Sequence, residues 1–279
     1  MTDSQTDSQT PDFGIAPPVQ PRGPRFSTFR NVTALVLREM STRYGRTPGG
    51  YVWAVLEPFL AILILSIGFS LLLRSPSLGT SFLLFYATGY LILNLYQTLS
   101  NMTIKALRFS SSLLRFPTVA WIDAIIARAL LNSLTSIVIM IVLLGTILTI
   151  TDTRSVIDLA PIVEATGLTM LLGVGVGTLI LVPAGLYPLF DVAWSVATRP
   201  LFISSAVIYI YEDLPRFAQE ILWYNPLVHL TGLMRRGFYP SYQASYVSIP
   251  YVLFFGIITL FLGVVLCRRY HREVMAQFQ

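Results

Sequence analysis

The chain has 279 residues, of which 54% are hydrophobic and only 12% charged, and its formal net charge is +5. Soluble domains carry roughly 25% charged residues, so this composition excludes an ordinary water-soluble domain and points to one polytopic membrane domain. The cations lie between apolar runs, which argues for membrane topology and against nucleic acid as a partner, and a single cysteine, Cys267, excludes an internal disulfide.

Residues 1–25 are rich in Ser, Thr, Gln and Pro and contain no apolar core of the kind a cleaved signal needs. They are expected to form a disordered tail, with residues 26–279 as the membrane domain. Over Ser27–Tyr44, the residues Phe29, Val32, Val36, Met40 and Tyr44 recur at helical spacing among Arg30, Arg38, Glu39 and Arg43. This predicts an amphipathic helix lying in the membrane interface. Ser27 is placed to cap it, and Glu39 and Arg43 to pair across one turn. Pro48, Gly49 and Gly50 then turn the chain, Trp53 suits the interfacial belt, and Pro58 is expected near the start of the next helix. Glu57 at that depth needs a partner or water.

Six apolar runs follow, at 54–73, 82–100, 128–150, 167–186, 192–211 and 250–267. Each is close to the ~20 residues that a helix needs to cross a hydrocarbon layer of ~30 Å. The expected fold is all-α, with six transmembrane helices, an N-terminal interface helix and a re-entrant outer segment at 212–249. In the second run, Tyr86, Tyr90, Asn94, Gln97 and Asn101 share one helix face. Arg128, Asn132 and Thr135 align in the third, and Ser195, Arg199, Phe202, Ser205 and Tyr209 in the fifth. Polar faces avoid lipid, so these three either pack on one another or on a second subunit, or line a wet path. Tyrosines beside amides suit carbohydrate, which offers an apolar face to stack and hydroxyls to bond. Gly173 and Gly177 of the fourth run have the spacing of close helix packing, and Pro183 and Pro200 are expected to kink their helices.

In the outer segment, Asn225 and Pro226 read as cap and first residue of a short helix. Its His229, Arg235 and Arg236 are candidates to meet a lipid headgroup or an anionic glycan. With an even number of spans both termini share a side. Arg22, Arg25, Arg30, Arg38, Arg43, Arg46, Lys105, Arg108, Arg115, Arg268, Arg269 and Arg272 on that side outnumber Arg74, Arg154, Arg216, Arg235 and Arg236 on the other, which assigns both termini to the cytoplasm. The chain has no phosphate-binding loop of the Gly-x-x-x-x-Gly-Lys type, no HExxH pattern and no nucleophile–base set within the spans. It reads as a conduit, not an enzyme, with no catalytic residue, metal or cofactor of its own.

Three stretches give the chain a family likeness: LREMSTRYGRTPGGYVWAVLEP at 37–58, LLRFPTVAWIDAIIARALL at 113–131, and RPLFISSAVIY with WYNPLVHLTGLMRRGFY over 199–239. Their order resembles the permease subunits of ABC-2-type exporters, most closely those of capsular polysaccharide export. The resemblance implies a homodimer in the bacterial inner membrane, driven by a separate ATPase subunit that binds ATP and Mg. It implies a lipid-linked polysaccharide as substrate, and a periplasmic adaptor and outer-membrane exporter as further partners. O-antigen, another polymer or a small molecule remains an alternative substrate, and a polytopic glycosyltransferase is disfavoured because the longest inner loop, 101–127, contains Asp123 as its one carboxylate. On this resemblance the segment 106–119 becomes a coupling helix touching the ATPase through Arg108, Phe109, Leu113, Leu114, Arg115 and Phe116. Tyr86, Tyr90, Asn94, Gln97, Asn132, Phe202 and Tyr209 become the candidate substrate path.

Overall fold

The computed structural model describes residues 27–44, 50–114, 119–151 and 157–278, and every regular element among them is helical. In chain order these are α1 (Ser27–Tyr44), α2 (Gly50–Ser70), α3 (Phe82–Ile104), α4 (Ala106–Phe109), α5 (Trp121–Ile150), α6 (Leu159–Leu186), α7 (Pro188–Ala197), α8 (Leu201–Ser204), α9 (Arg216–Leu222), α10 (Pro226–Phe238) and α11 (Ile249–Ala276). The expected tail at 1–25 and the turn at Pro48 and Gly49 lie outside the described residues.

Local chemistry starts several of these helices. The Ser81 hydroxyl accepts from the Leu84 amide at 3.3 Å ahead of α3, and the Asp158 carboxylate accepts from the Ala160 amide at 3.1 Å ahead of α6. Such caps satisfy donors that a helix N-terminus leaves unpaired. Helix α2 begins at Gly50, so Pro58 lies inside it and not at its start. There it cannot donate the hydrogen bond that the Ala54 carbonyl would otherwise receive.

Among the described residues five helices, α2, α3, α5, α6 and α11, are long and apolar enough to cross a membrane. The run at 192–211 does not make a sixth continuous span. It is split into α7, a turn at Thr198–Pro200, α8, and irregular backbone over 205–210. Part of the cause is local: Pro200 has no amide proton and its ring disfavours a preceding helical turn. Two residues after α8 ends at Ser204, Ala206 takes φ 55, a left-handed conformation that ends a helix and that non-glycine residues rarely adopt.

Helices α3 and α6 form the centre, each with 67% of an apolar 18-residue stretch buried, whereas the corresponding stretches of α2, α5 and α11 bury far less. The outer helices turn Ile64, Ile67, Leu134, Val138, Ile141, Phe254 and Phe261 outward, as lipid-facing helices should. Small residues set the packing of α6. A Cβ at Gly173 would stand 2.9 Å from the Leu99 Cβ, and one at Gly177 would stand 2.7 Å from the Thr103 Cβ, both on α3. Gly175 faces α11 instead, where a Cβ would stand 2.8 Å from the Gly256 carbonyl oxygen, and Gly263 of α11 meets the α6 backbone. The small-residue spacing thus serves close helix packing, as the sequence predicts.

The bundle has two distinct ends. Helices α1 and α4 pack against the start of α5, where Trp121 stacks on His271 at 5.8 Å and Arg108 stands 5.9 Å over the Phe278 ring. At the opposite end α10 sits among α3, α6 and α11, and the Asp158 amide donates to the Gly237 carbonyl at 2.9 Å. Gly263→Ala is expected to lower the melting temperature of the detergent-solubilised protein, because its Cβ would stand 2.6 Å from the Leu179 amide nitrogen; overpacking of this kind costs about 1–3 kcal/mol. Gly145→Ala, with nothing within 4 Å of the added carbon, is the control and should not destabilise.

Candidate functional site

The polar faces of α3 and α5 meet. Asn94, Gln97, Thr98 and Asn101 of α3 face Asn132, Thr135 and Ser136 of α5 across a cleft of about 310 Å³, closed on its third side by Ala54, Glu57 and Pro58 of α2. The lining offers carboxamides that both donate and accept, hydroxyls, and one carboxylate. The Ala54 carbonyl that Pro58 leaves without a helical donor belongs to the same wall. Asn132 is buried and its amide donates to the Arg128 carbonyl at 2.8 Å. Tyr90 lies beside this wall, near Glu57 and Asn94.

Helix α7 brings a second polar surface to α3. Tyr96, Gln97, Ser100 and Asn101 face Trp194, Ser195, Thr198 and Arg199 across a cleft of about 230 Å³. Gln97 and Asn101 belong to both clefts and join them. The sequence-derived faces are therefore partly reassembled. Ser195 and Arg199 meet α3, whereas Ser205 and Phe202 turn toward the core. Tyr86 is not on either lining: it is 1% exposed and packed among Phe69, Phe82 and Phe85. Its hydroxyl-bearing ring belongs to the core, because the aromatic residues one and four positions before it occupy the adjoining positions.

The irregular backbone after α8 depends on α10. The Asn225 amide, whose oxygen caps α10 by accepting from Leu227 N at 3.1 Å, donates to the Ser204 carbonyl at 2.9 Å. One and a half turns later the Thr231 hydroxyl donates to the Ser205 carbonyl at 2.9 Å. Arg235, one turn further on, donates through Nη2 to Val207 O at 2.8 Å and through Nη1 to Tyr209 O at 2.7 Å. Its guanidinium also lies 4.1 Å from the Phe85 ring centroid, a favourable cation–π contact. Tyr209 in turn donates its hydroxyl to the Ile203 carbonyl at 2.7 Å. Non-helical backbone at membrane depth survives only when its polar groups are satisfied by protein or water, and α10 supplies them.

This geometry reassigns two candidate outer contacts. Arg235 and His229 are each 1% exposed, and both Nη atoms of Arg235 and both ring nitrogens of His229 are engaged inside the protein, so neither faces a headgroup. His229 Nε2 bonds the Trp223 carbonyl at 2.8 Å, and Nδ1 accepts from the Ser248 amide at 3.2 Å. Burial pushes its pKa below the usual 6.5, against the opposing pull of its hydrogen bonds to backbone. Arg236 alone of the three is exposed, beside Asp158 and Gln243. Next to Arg235, the Tyr242 hydroxyl donates to the Glu212 carboxylate at 2.9 Å, and burial raises the Tyr242 pKa above the ordinary phenol value.

At the other end, the described part of the predicted coupling helix 106–119 is helical over α4, followed by hydrogen-bonded turns in which the Leu113 and Leu114 amides both donate to Ser110 O. Arg108 is exposed, Phe109 is 42% exposed, and Leu113 and Leu114 are half-buried; Arg115 and Phe116 lie outside the described residues. Helix α1 docks on α5 through Val32 and Leu35, which pack with Ala127. Its inner face also carries Glu39, which forms an ion pair with Arg128 at 3.2 Å. By spacing, Arg128 falls on the α5 polar face and Glu39 is expected to pair with Arg43 on α1. The signal that reveals the meeting of Glu39 and Arg128 is that Arg128 is a charge on an apolar span and needs a partner.

Comparison with known proteins adds an independent line. The profile of the ABC-2 type transporter family matches residues 30–239. The chain is 30% identical to the Polysialic acid transport protein KpsM of Escherichia coli over 237 residues, covering 85% of this chain and 92% of that protein. It is 27% identical to the Capsule polysaccharide export inner-membrane protein CtrC of Neisseria meningitidis, covering 89% of this chain and 94% of that protein. The corresponding identity to BexB of Haemophilus influenzae, described by the same words, is 25%, with the same coverage of each.

Two measurements check the α10 geometry. Arg235→Leu strips the donors from two buried carbonyls, each worth about 1–3 kcal/mol when left unpaired, so it should depress the melting temperature far more than Thr231→Val. His229 is neutral in the fold, since Nδ1 accepts a backbone proton. Its depressed folded pKa means that stability is complete above the unfolded value of 6.5 and is lost as pH falls toward the folded value. Between about pH 7.5 and about pH 5.5 the wild type should therefore lose more thermal stability than His229→Gln.

Proposed function

Because the chain belongs to the ABC-2 type transporter family, we propose that it is the membrane permease that passes a lipid-linked capsular polysaccharide outward across the bacterial inner membrane. The observation that carries this reading is the α2–α3–α5 cleft, where carboxamides, hydroxyls and Glu57 gather between apolar spans. Such a lining suits the hydroxyls of a sugar chain, which it can bond without strong retention at any one point. The printed roles of KpsM, CtrC and BexB in capsule and polysialic acid transport support the same substrate class.

The driving force comes from a separate ATPase subunit that binds ATP and Mg. It docks at the α1 end, against Arg108, Phe109, Leu113 and Leu114 together with Arg115 and Phe116. The exposed Arg30, Arg38, Lys105, Arg108, Arg268 and Arg269 of this end favour the cytoplasm for both termini. A second copy of the chain completes the path. Glu57 and Arg199 line the two clefts yet stand exposed in a single chain, and charges left facing lipid are costly. Helix α10 and the backbone it holds form the outward plug, re-entrant from the far side. Nucleotide-driven movement at the α1 end spreads the spans, and the polymer slides along Asn94, Gln97 and Asn132 toward that plug, beyond which a periplasmic adaptor and an outer-membrane exporter receive it.

Deleting the gene and staining for surface polysaccharide tests the reading: the coat should vanish and polymer should accumulate inside, whereas an intact coat would refute it. Within that frame, Asn94→Ala with Gln97→Ala should cut surface polymer strongly while the amount of permease in the membrane stays unchanged. Tyr86→Ala should instead lower the amount of folded protein, since it empties a core position.

A further inference from the structure

Arg128 stands where four helices converge. It is 6% exposed, and its partner Glu39 on α1 is 4% exposed. Besides the ion pair, its Nη1 donates to the Met102 carbonyl near the end of α3 at 3.1 Å, and its guanidinium lies 4.2 Å over the Phe109 ring of α4. One side chain on α5 thus touches α1, α3 and α4 at once. Two flanking bonds join the same elements: Asn31 of α1 donates to Asp123 of α5 at 3.3 Å, and Arg38 of α1 to Ser112, just past α4, at 3.4 Å.

A buried ion pair is a poor source of stability, because desolvating two charges offsets most of their attraction. What it supplies is fixed geometry, and the planar guanidinium is suited to hold several partners in set directions. The place of this pair gives that geometry a use. One turn along α5 from Arg128 is Asn132, which bonds the Arg128 carbonyl and lines the polar cleft; Met102, held by Nη1, lines the same cleft. The docking end and the cleft wall are therefore separated by a single side chain and one helical turn.

We infer that the Glu39–Arg128 pair is the link through which displacement of α1 and α4 reaches the α3–α5 cleft, with Arg128 as a positioning residue. This inference rests on the ATPase-driven reading above. Moving α1 pulls the guanidinium through Glu39, and pushing α4 moves it through Phe109. In both cases Arg128 shifts the start of α5 relative to Met102, and so alters the spacing of Asn132 and Asn94. The device needs the carboxylate and the forked cation together.

The test uses the gene-deleted strain complemented with the full chain. Glu39→Gln and Arg128→Gln should each lower surface polymer about ten-fold or more, and because both act through one contact the double variant should be no worse than the poorer single. The permease should still co-purify with its ATPase, and that ATPase should keep its turnover, a separation that loss of a merely structural contact would not give. Arg128→Lys keeps the charge but cannot hold Glu39, Met102 and Phe109 simultaneously, so it too should export poorly; it is read in place of the neutral variants if they reduce the amount of protein. Normal export by Glu39→Gln or by Arg128→Lys overturns the link, as do losses that multiply in the double variant. If the deletion itself leaves the coat intact, the transport reading fails instead, so the two failures are told apart.

Discussion

The buried guanidinium of Arg235 holds together the part of this protein that departs most from simple membrane architecture. Lipid cannot hydrogen-bond an exposed carbonyl, so a chain that leaves helical geometry at depth needs donors from within the protein. Val207 O and Tyr209 O find theirs in one arginine, and Ser204 O and Ser205 O find theirs in Asn225 and Thr231 of the same helix. The cation is held in turn by the Phe85 face and by the backbone dipoles it serves. Helix α10, the broken segment and the outer half of α3 are thereby one packed unit, and a Cβ at Gly89 would stand only 3.0 Å from the Val207 Cα and 3.2 Å from the Arg235 Nη2.

The two ends of the molecule use charge in opposite ways. At the α10 end, Arg235 is fixed to neutral backbone and aromatic faces, an arrangement with one favourable geometry. At the α1 end, Arg128 is fixed to a carboxylate on a peripheral helix that is itself joined to the bundle mainly through α5. Between them runs a band of amides and hydroxyls on α3, shared by two clefts at Gln97 and Asn101. A permease of this kind needs a wettable interior that no single sugar occupies tightly, and a weakly acidic, carboxamide-rich wall has that character.

Much of this was legible in the residues. The apolar runs that became α2, α3, α5, α6 and α11 were long enough to leave no alternative, and the Asn225–Pro226 start of α10 followed from capping chemistry. The polar faces of α3 and α5 also followed from spacing, since their side chains had to avoid lipid. The broken segment did not. Its sequence at 192–211 is as apolar as a span, and the donors that stabilise its unwound form come from 21, 26 and 28 residues downstream, which no local periodicity encodes. For the same reason His229 and Arg235 read as surface groups: a charge on a short helix looks solvent-facing until the helix is seen to be enclosed. Tyr86 shows the converse, a polar-tipped ring on the right face but at a depth where only aromatic neighbours surround it.

Helix α5 has 30 residues, about 45 Å at 1.5 Å per residue, against a hydrocarbon layer of roughly 30 Å. Its exposed Leu134, Val138, Ile141 and Ile150 are apolar over most of that length. The surplus of about 15 Å falls naturally at its foot, where Asp123 and Arg128 meet α1, so that the charges of this rod stand at the rim of the apolar layer and the cleft amides lie along its flank.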